Sequence, residues 1–305
     1  MNPILALIIA NIIWGAGSPI YKAALTNVPT FILMFSRLFI PALIFLPFLF
    51  KIKQKISFRQ YSTLFLMALI IAIHYPLYFL GIQKTLSINA PVIASSSPVF
   101  LFFLSVFFLK EKFRIKVLVG MLISFIGVLI IIFSPLLIGG NIIAVDTSIE
   151  GNLFLLLATL LSLFVVIIGK RILTKIHPFY VAFWTFFLSG IMISPFMVME
   201  LDSWSISNLN FIGIVGLVFG ILFGSVIAHA LYYYGLKKIQ TEEVGVFTYI
   251  CPVIAVLIAI PLLGEYPNKF FIIGSFIIFW GIYFSEGRIP WHPFHKLKKN
   301  INKDN

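Results

Sequence analysis

Stretches of 18 or more apolar residues recur along the whole chain, and no other feature limits its fold as sharply. A helix of that length crosses a hydrocarbon core of about 30 Å. Ten such spans are expected, at 3–25, 29–50, 61–83, 89–109, 114–137, 150–174, 177–199, 208–235, 241–263 and 268–286. Short connections rich in Pro, Gly, Asn or charge separate them, as in Thr26-Asn27-Val28-Pro29 and Gly139-Gly140-Asn141. Only 10% of the 305 residues are charged, against about 25% in a soluble domain. The mean hydropathy of +1.08 excludes a soluble fold. The first apolar run starts at Pro3 without a basic segment before it, so it reads as a retained span and not a cleaved signal. A single cysteine, Cys251, leaves no internal disulfide to form.

A net charge of +12 would point to nucleic acid in a soluble protein. Here the charge follows topology. With the N-terminus in the cytoplasm, 18 Lys and Arg fall on the inside, and only Lys22, Lys84 and Lys269 fall outside. Asp146, Glu150, Glu200 and Asp202 lie in outside loops. That bias satisfies the positive-inside rule and predicts a multi-pass protein of the cytoplasmic membrane with both termini inside. No nucleic-acid partner is needed to explain the charge.

The chain also contains itself twice. Residues 78–131 align without a gap on 232–285 at an offset of 154, matching Gly81 to Gly235, Pro98 to Pro252, Glu111 to Glu265, Gly120 to Gly274 and Gly127 to Gly281. A weaker match at an offset of 148 joins the N-terminal parts, for example Ala10/Ala158, Lys22/Lys170, Thr26/Thr174 and Pro47/Pro195. Five spans per copy reverse the direction in which the second copy enters. The expected fold is therefore an all-α membrane protein of ten transmembrane helices, built as two inverted five-helix repeats around a central cavity. Residues 1–137 form the first repeat, 138–149 the loop between repeats, 150–287 the second repeat, and 288–305 a basic cytoplasmic tail.

An ordered set of residues then carries a family resemblance. Trp14-Gly15 and Lys22-Ala23-Ala24-Leu25 in the first span are followed by Ser36-Arg37-Leu38 early in the second. Gly81, Pro98, Glu111-Lys112, Gly120 and Gly127-Val128 follow, with second copies at Gly235, Pro252, Glu265, Gly274 and Gly281. Together they resemble the drug/metabolite transporter superfamily, and within it the EamA-type proteins. Two positions depart from the pattern: Glu265-Tyr266 replaces an acidic-basic pair, and the sixth span lacks Trp-Gly. The resemblance implies a central cavity and, usually, export of a small metabolite.

Arg37, eight residues into span two, lies roughly 12 Å along the helix from its start, with no acidic residue at comparable depth in any span. It reads either as a bidentate ligand for a substrate carboxylate or phosphate, or as a structural clamp on helix carbonyls. His74 and His229 stand one position apart across the repeat, each beside tyrosines. They read as polar substrate contacts or as neutral imidazoles bonded to a neighbouring helix. The run Ser95-Ser96-Ser97-Pro98 and its copy Tyr249-Ile250-Cys251-Pro252 mark possible breaks in spans four and nine, which in paired halves point to a binding site. The substrate-binding candidates are Trp14, Arg37, His74, Tyr78, Ser95, Ser96, Trp184, His229, Tyr232 and Tyr249. Pro98 and Pro252 are the candidate kinks. Tyr21 and Tyr75 are further aromatic candidates.

Glu111 and Glu265 are expected at span ends, near water and headgroups, in structural roles. The glycine pairs Gly120/Gly127 and Gly274/Gly281 fit either close helix packing or a homodimer seam. No metal site or cofactor is expected, because the chain lacks a His-x-x-x-His pair and a nucleotide-binding P-loop. The expected partners are a small-molecule substrate and membrane lipids. The expected function is secondary transport of a small polar metabolite, an amino acid or related compound, by alternating access, in the export direction. The alternatives are uptake or exchange of a nucleotide-like or phosphorylated compound, or a scaffold or receptor role. An enzyme would need clustered acids or metal ligands at one depth, and no catalytic residue is expected.

Overall fold

A computed structural model describes residues 2–52, 54–97, 100, 104, 115–138, 148–239, 244 and 247–286. Among these residues every regular element is helical. In chain order they are α1 (Pro3–Ala24), α2 (Thr30–Ile52), α3 (Phe58–Lys84), α4 (Asn89–Ala94), α5 (Ile115–Ile138), α6 (Ile149–Ile172) and α7 (Pro178–Glu200). Then come α8 (Phe211–Lys238), α9 (Ile250–Leu263) and α10 (Lys269–Glu286). The 22 residues of α1 make a helix about 33 Å long, enough for a bilayer.

Local chemistry fixes the helix ends. Asn2 caps α1 by accepting from the Ile4 amide, and Pro3 follows at a position where no N–H is needed. Ser57 and Gln60 form a reciprocal capping box at the start of α3. Ser148 caps α6 and Asn210 caps α8. Gly264 ends α9 in the left-handed region, at φ 65°, where a residue with a Cβ is strained.

Among the described residues seven helices are long and apolar enough to cross a membrane, where ten spans were expected. The shortfall lies in the fourth, ninth and tenth. Beyond α4, the fourth span is described only at Ser95–Ser97, Phe100 and Leu104, and the apolar helices Phe247–Leu263 and Lys269–Gly281 are shorter than 18 residues. Pro98 and Glu111 lie outside the described residues, as do 139–147 of the expected inter-repeat loop and the expected tail.

The most extensive helix contacts are α5 on α10, α3 on α6 and α2 on α7, with α1 packed along both α8 and α9. Glycine sets several of these distances. A Cβ at Gly127 would stand 2.6 Å from the Gly274 carbonyl oxygen, and one at Gly281 would stand 2.5 Å from that of Gly120. The four glycines are thus used within the chain, where the backbones of α5 and α10 touch.

α8 departs from a regular helix. Its middle, Phe219–Ile227, is wound as a π-helix between two α-helical parts. Such wide turns are rare and often lie at functional sites.

Candidate functional site

A cavity of about 300 Å³ lies among α1, α2, α3, α4, α6, α8 and the start of α9. Its size falls at the lower end of the range for small-molecule sites. One face of α1 supplies Asn11, Trp14, Ser18 and Tyr21, at spacings of three, four and three residues. α2 supplies Arg37, and α3 adds Ile71, His74, Tyr75 and Tyr78. His229, Tyr232 and Tyr233 come from α8, and Cys251 comes from α9.

Arg37 is only 4% exposed. Its Nε donates to Ser225 Oγ and its Nη2 to Tyr75 Oη, both at 3.5 Å, the long limit of a hydrogen bond. Aromatic rings cover it more closely, with Tyr21 centred 4.3 Å from the guanidinium carbon and Tyr75 4.9 Å from it. Among the described residues no carboxylate pairs with it. The π-helix approaches from the other side. A Cβ at Gly224 would lie 2.1 Å from Tyr21 Oη and 3.5 Å from Arg37 Nη2, so glycine is what lets α8 come this near.

The Gly224 carbonyl does a second job. It accepts from Trp14 Nε1 at 3.1 Å and faces His229 Nδ1 at 3.1 Å. His74 Nδ1 likewise lies 2.8 Å from the Ala158 carbonyl. A carbonyl only accepts, so each of these bonds places the proton on Nδ1 and leaves Nε2 as an acceptor in the neutral ring. Trp14 packs on His229 and Tyr232, with centroids 5.1 and 4.8 Å away. Cys251 donates to the Asn11 backbone carbonyl at 3.3 Å.

The cavity gathers Trp14, Arg37, His74, Tyr78, His229 and Tyr232 from the sequence-derived candidates, together with Tyr21 and Tyr75. Four other candidates do not line it. Ser95 and Ser96 turn their hydroxyls back onto the Val92 and Ile93 carbonyls, each at 2.6 Å. Trp184 packs against Tyr61, at 5.2 Å, and Phe183. Tyr249 packs against Phe279. Pro252 lies in the first turn of α9 after a short 3-10 turn, Phe247–Tyr249, and so does not interrupt a regular mid-span helix. Asn11 and Ser18 were not among the candidates; the spacing of polar residues along α1 was the signal that marks them.

A second polar cluster closes one end of the bundle. Lys22 Nζ lies 2.8 Å from Glu265 Oε1 and donates to the Thr85 carbonyl at 2.7 Å. Glu265 Oε2 accepts from the Ser87 amide at 2.8 Å and from its hydroxyl at 2.6 Å. Glu265 is 7% exposed and does not face water, contrary to expectation; its partners replace the solvent.

Comparison with known proteins bears on this arrangement. The model of the EamA-like transporter family matches residues 1–133 and 149–286. The chain belongs to this family. It is a multi-pass membrane transporter and not an enzyme. The uncharacterized transporter YetK of Bacillus subtilis (strain 168) is 26% identical over 302 residues, covering 93% of this chain and 86% of YetK. An uncharacterized transporter of Archaeoglobus fulgidus is 24% identical over 287 residues, covering 93% of this chain and 97% of its own length. A solved crystal structure matches with a TM-score of 0.62 at 16% identity, covering 93% of this chain and 96% of that one. That likeness concerns the fold alone.

Proposed function

We propose that the chain is a secondary transporter of a small polar organic metabolite, an amino acid or related compound, moved outward across the cytoplasmic membrane by alternating access. The observation that carries this reading is the cavity: helices from both halves meet there, and it collects the intramembrane arginine and both span histidines. Sites at the interface of inverted repeats, opened alternately by rocking of one half on the other, are the common design of such carriers.

Mirrored contacts support the inverted arrangement. Adding 148 to the first span and 154 to the third converts Leu7 to Leu155 and Gly81 to Gly235. Gly81 abuts Leu155, and Gly235 abuts Leu7. By the same offsets Lys22 and Thr85 become Lys170 and Ile239. Lys22 Nζ donates to the Thr85 carbonyl, and Lys170 Nζ to that of Ile239. The Gly127–Gly274 contact maps onto Gly281–Gly120 in the same way. The excess of Lys and Arg on one side supports cytoplasmic termini, which puts the Lys22–Glu265 cluster at the outer end.

The test is counterflow in proteoliposomes: vesicles loaded with one unlabelled metabolite should accumulate its labelled form only when they contain the protein. A broad panel of amino acids and organic acids that gave no protein-dependent counterflow would overturn the reading.

A further inference from the structure

The cavity holds three donors with nothing adequate to donate to. Arg37 has five N–H groups and, among the described residues, only two bonds, both at 3.5 Å. Tyr21 Oη, beside it on α1, has no hydrogen-bond partner among the described residues, and neither has Ser18 Oγ one turn away on the same helix face. Tyr21 is 3% exposed and Ser18 1%. A buried hydroxyl without a partner is unfavourable, and an unpaired buried guanidinium is more so. All three border the same cavity.

We infer that Arg37, Tyr21 and Ser18 form a seat for the carboxylate of the transported molecule. The inference rests on the transport reading and adds to it the chemical class of the substrate. A carboxylate is an acceptor-only group with two oxygens and about four lone-pair directions, which matches a set of donors only. It also matches in charge. Arg37 is the single Lys or Arg among the described residues lining the cavity, and these include no Asp or Glu. One guanidinium neutralises one carboxylate, whereas a phosphate dianion would keep a net buried charge and a cation would meet an uncompensated positive field. Bidentate pairing adds geometric selection. Along the rest of the wall, the Nε2 acceptors of His74 and His229 suit a neutral hydrogen-bond donor on the substrate, such as a hydroxyl. The wide turn of α8 belongs to the device, because a side chain at Gly224 would collide with Tyr21 Oη.

Thermal unfolding of the purified chain in detergent, with matched ligands, tests the seat. The probes are phenylacetate against phenylacetamide, L-phenylalanine against its amide, a set of aliphatic carboxylates from acetate to hexanoate, and phenyl phosphate. Carboxylates are expected to raise the unfolding midpoint and their amides to leave it unchanged. Arg37→Gln should weaken carboxylate binding by about 100-fold or more, and Tyr21→Phe by about tenfold, the loss of one hydrogen bond to a charged group. Tyr21→Phe keeps the ring and the charge, so it decides the matter even if R37Q does not fold. Equal stabilisation by acid and amide overturns the inference. So do strongest binding of phenyl phosphate, unchanged affinity in the folded Tyr21→Phe variant, or no shift with any carboxylate. Flux is scored separately. Carboxylate binding through Arg37 without counterflow would sink the transport reading and leave the seat; counterflow of amides as fast as acids would do the reverse.

Discussion

Two ion pairs in this protein look alike in distance and differ in worth. Lys22–Glu265 and Lys84–Glu150 are 2.8 and 2.7 Å apart. The first has side chains 16% and 7% exposed, the second 42% and 56%. Removing one partner of a buried pair leaves a charge without solvent or counter-ion, typically costing about 3–5 kcal/mol, while an exposed pair contributes about 0–1 kcal/mol. Lys22 keeps the Thr85 carbonyl, so Glu265→Gln is expected near the lower figure and Glu150→Gln close to zero. Unfolding midpoints in detergent check this; equal shifts for the two variants would contradict the burial argument. Burial also explains which cavity-lining residues the sequence marked as candidates. Arg37, His74 and Trp14 stand out because a charged or bulky polar side chain inside an apolar run has few tolerable surroundings. Ser18 and Asn11 are marked only by their spacing along α1, a weak signal, since small polar residues serve plain helix packing equally well. Ser95 and Ser96 stay out of the cavity wall because a hydroxyl in a helix can satisfy itself on its own backbone.

At the scale of elements, eight of the expected spans match a described helix within a few residues, because apolar length and caps are local properties; the fourth and ninth do not, their described helices being only Asn89–Ala94 and Ile250–Leu263. The π-wound middle of α8 was not legible. Its turn is tied to bonds that reach Gly224 from Trp14, 210 residues away in the chain, and no local pattern encodes such a partner. The glycine seam of α5 and α10 was half legible: spacing marked the face and left its partner open. A Cβ at Gly127 would meet backbone at 2.6 Å, whereas one at Gly169 would meet nothing nearer than Met67 Cε at 3.5 Å. Gly127→Ala should therefore destabilise by about 1–3 kcal/mol, the usual penalty of overpacking. Gly169→Ala should be neutral or stabilising by up to about 1 kcal/mol, since it also raises helix propensity. Unfolding midpoints of the pair measure the difference, and a Gly127→Ala protein as stable as the parent would mean that the seam is looser than drawn.

For the whole molecule, the proposed inversion of the halves makes a prediction that a parallel duplication does not. Thr26 and Thr174 correspond at the offset of 148, both are exposed, and each bonds the carbonyl three residues back. In a Cys251→Ser background, a cysteine at position 26 should react with a membrane-impermeant maleimide on intact cells. One at position 174 should react only after the membrane is opened. Labelling of both from one side would refute the inverted fold. The duplication was legible from sequence because glycines at helix crossings tolerate so little change. The cavity between the copies was legible only in part, since its wall is assembled from seven separate stretches of chain.

The closure around Lys22 and Glu265 has one more consequence. An end sealed by apolar side chains could part only by exposing them to water, against the hydrophobic effect. An end sealed by charge parts differently: each ion regains the hydration it gave up, and that gain offsets much of the lost attraction. The same contact that holds this end together is thus one that water itself helps to separate.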